Sequence, residues 1–344
     1  MSGQVSRLER QLESATDWRE RIDLLNALCW ALRNDASERA LRLAEEARAL
    51  LASDDDGRLP YPEGCLANLR NLGWLMCQRG RFEEALAICR EALAIAEEIG
   101  DAHEQIGLLN LIGEAKFSAG DHAGALESHR AALQICEDVG DTGWEAHSRN
   151  QLGTVQGEMG DYEGSLAQFS RCAHAFRELG DQRGEANALY NMAVICGLQG
   201  EEKKALAYAF AALQIHHEMG DVEGEAEVLA YMGEVYGCLG DTGQAVRQLR
   251  RALNLFRGLG RRDRQSTCLL RIGEVYAHRR ELPRALWYLY QSYTVAEKIG
   301  AARHMQESLR ALAAAYEQGG DPEMAQTCRQ RCESIDGEGV PRRP

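Results

Sequence analysis

The sequence predicts an all-α protein, an α-solenoid of stacked helix hairpins. Three observations carry this: Gly-Asp returns every twenty residues, small residues return every forty, and Ala, Leu, Glu and Arg dominate a chain with only 6 prolines. Gly-Asp stands at 100–101, 120–121, 140–141, 160–161, 180–181, 220–221, 240–241 and 320–321. Position 200–201 is Gly-Glu, 80–81 and 260–261 are Gly-Arg, and 280–281, Arg-Glu, departs furthest. Glycine accepts the left-handed conformation that ends a helix. An aspartate just after it caps the next helix by accepting from exposed amides, and its charge suits the positive helix end. Each twenty-residue interval therefore holds one helix and one short loop.

Neighbouring intervals differ, so the true period is forty. One small-residue column runs Gly73, Gly113, Gly153, Ala193, Gly233, Gly273, Ala313. A second is Ala85, Ala125, Ser165, Ala205, Ala245, Ala285, Ala325, and a third is Ala92, Ala132, Cys172, Ala212, Ala252, Ser292, Cys332. Large apolar residues flank them, among them Leu72, Ile112, Leu152, Met192, Met232, Ile272 and Leu312. Glycine inside a helix costs roughly 1 kcal/mol relative to alanine. Its return at one register implies a second helix crossing too close for a side chain.

These columns resemble the tetratricopeptide repeat, which is small at its eighth position and carries Ala at its twentieth and twenty-seventh. The forty-residue period exceeds the usual length of about thirty-four. It is similar to the lengthened variety of kinesin light chains, bacterial peptide-pheromone regulators and the sensory arrays of bacterial signalling proteins. The resemblance implies a right-handed superhelix whose first helices, one per hairpin, line a concave groove. One hairpin cannot bury its apolar face alone, and stacking does so. The expected organisation is a capping helix within 1–16, a single solenoid over 17–336 and a disordered tail at 337–344. The solenoid holds about eight units, at 17–52 (degenerate), 62–100, 101–140, 141–180, 181–220, 221–260, 261–300 and 301–336. An insertion, SDDDGRLPYP, follows the first unit, where Ala40 parallels Ala85. Gln326 and Arg329 make the last helix polar, as expected of an array end facing water.

Composition narrows the function. The hydrophobic fraction of 45% suits a folded protein, and no apolar run approaches a membrane span. A net charge of -14 argues against general affinity for nucleic acid or anionic membrane. MSGQVSRLERQLESATDW lacks the apolar segment of a secretory signal. The 11 cysteines, an odd number, are therefore expected as free thiols in the cytoplasm.

Catalytic signatures are not found. The sequence holds no phosphate-binding loop, no GxSxG and no HExxH. GGDPE at 319–323 superficially resembles a diguanylate cyclase signature, but Gly320-Asp321 falls on the twenty-residue beat and reads as a loop. The cysteines form no CxxC pair, and His216 and His217 point about 100° apart on a helix, a poor metal pair and more simply solvated. No metal, cofactor or catalytic residue is assigned, and the protein is expected not to be an enzyme.

Variable positions are where a partner can be read. Following the family, positions two, five, six, nine, twelve and thirteen of the first helices face the groove, and the candidates are read at five, six and nine. Those three supply Arg70, Asn71, Trp74, Asn110, Asn150, Gln151, Thr154, Tyr190, Asn191, Tyr231 and Arg271. Carboxamides donate and accept, so they can pair with an extended backbone, and Tyr and Trp offer flat apolar contact with a polar edge. The same amides could instead bridge neighbouring first helices. A basic stretch at 247–284 sets eleven arginines against Asp263, Glu274 and Glu281. It reads as solvated or paired with glutamates of adjoining units ahead of a dock for an acidic partner. The expected function is a scaffold binding an extended peptide or protein segment, with self-association open. The alternative is a regulatory array acting with a nucleotide cyclase, histidine kinase or transcription regulator.

Overall fold

A computed structural model describes residues 2–34, 37–52 and 61–337 of the chain. Most of the expected insertion and all of the expected tail beyond Gly337 lie outside the described residues. Among those described stand seventeen α-helices and no strand. They form two compact units, Met1–Leu179 and Gly180–Pro344.

The first unit opens with α1 (Ser2–Ser14) and continues as four helix pairs. These are α2 (Trp18–Leu32) with α3 (Ser37–Leu51), α4 (Pro62–Gln78) with α5 (Phe82–Ile99), α6 (Ala102–Ser118) with α7 (His122–Val139), and α8 (Thr142–Glu158) with α9 (Tyr162–Leu179). α1 lays Val5, Leu8 and Leu12 against the cluster of Leu28, Cys29, Ala40 and Ala85. The second unit pairs α10 (Gln182–Leu198) with α11 (Glu202–Met219) and α12 (Val222–Cys238) with α13 (Thr242–Gly258). It ends with α14 (Arg262–His278) and α15 (Leu282–Ile299), then α16 (Ala302–Gln318) and α17 (Pro322–Gly337). In each unit successive pairs stack on one another.

The twenty-residue beat is a loop chemistry. Gly160 takes φ 82, and Asp161 behind it accepts from the amide of Gly164 at 3.0 Å. Asp101, Asp121, Asp141, Asp181, Asp221, Asp241 and Asp321 cap in the same way, so GGDPE is a loop and cap here. Where Glu201, Arg261 or Glu281 replaces aspartate, no side chain caps the helix. Arg280, in the glycine column, is forced to φ 58.

The forty-residue columns are contacts. Ala85, Ala125, Ser165, Ala205, Ala245, Ala285 and Ala325 are all fully buried. In the glycine column a missing side chain is matched by a neighbour from the second helix of the same pair. A Cβ added at Gly113 would stand 2.5 Å from the His129 ring, and one at Gly233 would stand 2.5 Å from Leu249. At Gly273 the distance to Leu289 would be 2.6 Å, and Gly73 meets the Cys89 sulfur in the same manner. The facing column is thus Cys89, His129, Phe169, Leu249 and Leu289, sixteen residues after each glycine. Where alanine replaces glycine at Ala193, the facing position is Ala209, so volume is traded within that pair. Close packing requires such matching, because interiors have no room for one extra methyl.

Candidate functional site

First helices of successive pairs touch directly inside each unit, and the predicted residues lie along those contacts. In the first unit Arg70 of α4 forms an ion pair with Glu104 of α6. Its guanidinium also lies 5.2 Å from the ring of Trp30. Trp74 meets Trp30 edge to face at 6.3 Å, and Arg33 stacks on Trp30 at 3.7 Å. Trp30, Arg33, Arg70 and Trp74 therefore make one aromatic and cationic patch, with Trp30 partly open to solvent.

The amides divide. Asn71 and Asn110 are buried, and their side chains bridge helices. Asn71 donates to the Asn26 carbonyl at 3.0 Å. Asn110 donates to Ser148 Oγ at 2.9 Å, and its Oδ1 meets His129 Nδ1 at 2.9 Å. Burial holds the His129 imidazole down to about 4, with His147 adding to the shift, so the ring is neutral and its Nδ1 donates. A lone histidine among the residues that face the glycines, otherwise Cys, Phe and Leu, was the available signal for this network. Gln151 donates to Glu114 at 2.6 Å across α6 and α8, and burial raises the Glu114 carboxyl. Thr154 donates to the Asn150 carbonyl on its own helix at 3.1 Å. Gln151, Asn150 and Thr154 remain half-buried.

In the second unit Tyr190 of α10 and Tyr231 of α12 meet edge to face at 5.6 Å. Tyr231 donates to the Ala193 carbonyl at 2.7 Å. Both line a cleft of about 230 Å³ with Glu227, Glu234, Arg264 and Thr267. Burial pushes the Tyr190 phenol up to about 12, and the charges of Glu227 and Glu234 act in the same direction. Burial, then Tyr190, raises Tyr231 as well. Both hydroxyls stay protonated at neutral pH, and that of Tyr190 can donate to a ligand. Arg264 pairs with Glu227 at 3.0 Å, and Arg271 bonds Glu234 and Glu274, each at 2.9 Å. Asn191 stands half-buried beside Tyr190 on α10. The lining therefore combines two aromatic rings with the Glu227–Arg264 ion pair and Glu234.

Sequence reasoning missed Arg149. It stands in a column otherwise made of leucine, at Leu69, Leu109, Leu189, Leu229, Leu269 and Leu309, and that exception was its signal. The side chain is buried and reaches Glu145 at 2.8 Å and Glu137 at 3.1 Å. With Arg171, His174 and Glu178 it lines a second cleft of about 510 Å³ in the first unit. Glu227 stands at position two of α12, on the expected groove face, and Arg264 one turn before that position on α14, so the cleft they line is what singles them out. His216, expected to be solvated, is buried against Asp221 at 3.2 Å, while His217 is exposed beside Glu225. Among the described residues no group of three His, Cys, Asp or Glu is placed to hold a metal ion. None of the helices described is long and apolar enough to cross a membrane.

Helix pairs, glycine crossings and capped loops define a helical-repeat solenoid. The tetratricopeptide repeat pattern matches residues 64–138, 104–178 and 184–258, and the chain belongs to that family. No curated protein matches the sequence. Among solved structures, the apo quorum sensor NprR of B. thuringiensis aligns with TM-score 0.71 and 13% identity, over 96% of this chain and 91% of that one. A signal transduction ATPase with a tetratricopeptide repeat sensor, PH0952 of Pyrococcus horikoshii, aligns with TM-score 0.69 and 14% identity, over 95% of this chain and 51% of its own. A Rap protein complexed with competence and sporulation factor aligns with TM-score 0.60 and 13% identity, over 93% and 98%. Identities this low establish a shared fold.

Proposed function

We propose that the chain is a non-enzymatic scaffold whose first helices hold an extended segment of a partner protein or peptide. The observation that carries this is the Tyr190–Tyr231 pair, open to a cleft lined by the Glu227–Arg264 ion pair and by Glu234. Flat rings accept side chains of a partner, while charged and hydroxyl groups accept its backbone. Trp74, Arg70, Asn150, Gln151 and Thr154 offer a similar mixture in the first unit. Asn71 and Asn110 play a different part, holding neighbouring first helices in register. Support from fold likeness comes from the Rap protein complexed with competence and sporulation factor.

The test is capture of partners on the purified protein from native lysate, quantified by mass spectrometry. Tyr190→Ala with Asn191→Ala, and separately Trp74→Ala with Asn150→Ala, serve as matched baits checked for helicity by circular dichroism. Specific partners lost from at least one folded variant support the reading. Partners retained by both folded variants contradict it.

A second reading is a regulatory array that works with a signalling output, as a sensor does in the PH0952 ATPase. It rests on the likeness to that protein and to the quorum sensor NprR. Co-purification of a cyclase, kinase or transcription regulator would favour it. Recovery of partners with no such activity would count against it.

A further inference from the structure

We infer that the outward face of α13, with Trp287 of the adjoining α15, docks an acidic polypeptide segment. The argument begins with sequence: α13 contains Arg247, Arg250, Arg251 and Arg257 and no carboxylate. Spacings of three, four and ten residues put these arginines on one helical stripe. All four are exposed. Arg247 and Arg257 have no hydrogen bond, ion pair or ring contact among the described residues. Arg250 has only a neutral partner, donating to the Tyr288 hydroxyl at 2.7 Å while lying 5.9 Å from that ring. Arg251 alone approaches a carboxylate, Glu225 at 3.5 Å.

The neighbouring helix gives the contrast. On α14, Arg261 pairs with Glu223, Arg264 with Glu227 and Arg271 with Glu234, so the carboxylates of α12 neutralise that row. The basic stretch thus splits into a paired part and an unpaired part, and the unpaired part lies together. Beside it the chain exposes aromatic surface. Trp287 is 56% exposed and meets Tyr288, the partner of Arg250, edge to face at 4.7 Å. Tyr290, one turn later, turns away to α16, its hydroxyl 2.9 Å from that of Tyr316.

Charge complementarity selects the occupant. Like charges three and four residues apart repel along α13, and an anionic partner relieves this. Arginine forks match carboxylates, and the exposed Trp287 ring suits an apolar residue between them. A long polyphosphate backbone would run past this stripe onto a chain of net charge -14, whereas a short acidic segment needs only the stripe. The stripe shares no residue with the Tyr190–Tyr231 cleft, so each stands or falls alone.

The test is fluorescence anisotropy with a labelled peptide made only of Glu and Leu, its Gln-for-Glu counterpart, and a labelled single-stranded DNA. The Glu peptide should bind, weaken with added salt and lose about tenfold or more in affinity on Arg247→Ser, Arg250→Ser and Arg257→Ser combined. Trp287→Ala should weaken binding with the salt slope unchanged, and Tyr190→Ala with Asn191→Ala should leave it unchanged. Absence of binding, equal binding of the Gln peptide, insensitivity to salt, or retention by the folded triple variant would overturn the inference. So would tighter binding of the DNA, which would assign the face to nucleic acid. Loss on Tyr190→Ala with Asn191→Ala would place the peptide in the cleft, overturning this inference and leaving the scaffold reading intact.

Discussion

The ring of Phe169 occupies the space beside Gly153, where an added Cβ would lie 2.8 Å from Cε1 of the ring. The two residues belong to facing helices of one pair, α8 and α9. Their match explains why a glycine persists in mid-helix, and it yields a reciprocal test. Gly153→Ala should lower stability by about 1–3 kcal/mol through overpacking, reduced by up to about 1 kcal/mol of helix propensity. Gly153→Leu should cost more. Combining Gly153→Ala with Phe169→Ala reproduces the Ala193 and Ala209 arrangement, so the double variant should be more stable than the sum of the two losses by at least about 0.5 kcal/mol. Urea unfolding of the four proteins measures it, and strict additivity would contradict the close crossing.

His129 should make stability depend on pH. Burial lowers the imidazole from its ordinary 6.5 to about 4, so the neutral ring is favoured in the fold. Its contribution is complete above pH 6.5 and is lost as pH falls towards 4. The shift corresponds to about 3 kcal/mol as an order of magnitude. His129→Gln, which keeps a donor for Asn110, should remove this slope. The stability difference between wild type and variant, measured by urea unfolding, should shrink from pH 7 to pH 4.5. A difference independent of pH would contradict the buried neutral ring.

Arg280 takes φ 58 at a position that glycine fills elsewhere in the array. The left-handed conformation costs an L-residue about 1–2 kcal/mol. Arg280→Gly removes that strain, offset by about 0.4–1 kcal/mol of unfolded-chain entropy. A modest rise in melting temperature is expected, and Gly200→Arg should lower it. A lower melting temperature for Arg280→Gly would show that the arginine side chain supplies more than the strain removes.

The thiols should differ sharply in reactivity. Cys238 is exposed, whereas burial pushes Cys89 and Cys268 up to about 12. Thiolate is the reactive form, so native protein should show a fast labelling phase from Cys238, with Cys89 and Cys268 reacting only on unfolding. A thiol-reactive chromophore followed over time reads this, and Cys238→Ser should remove the fast phase. Equal rates for all three would contradict the packing.

How far the sequence could be read follows from what each residue answers to. The helix pairs were legible because Gly113, Gly153 and Gly233 answer to a crossing that recurs at one register. The loops were legible because Gly160 and Asp161 carry local backbone chemistry. The candidate site was only half legible. Register places Asn71 and Asn110 on a face, but whether they are covered depends on Asn26, Ser148 and His129 of other helices. Arg149 was hidden because small-residue columns were followed while its leucine column was not. The arginines of 247–284 could not be sorted into paired and unpaired by sequence, since pairing depends on whether a carboxylate of another helix reaches them, as Glu227 of α12 reaches Arg264.

Hydroxyl-radical footprinting of the protein with and without its captured partner tests the central claim, that first-helix side chains hold the partner. Oxidation of Trp74 or of Tyr190 should fall on binding, while that of Phe210, exposed on the second helix α11, stays constant. Protection of Phe210 with Trp74 and Tyr190 both unchanged would contradict it.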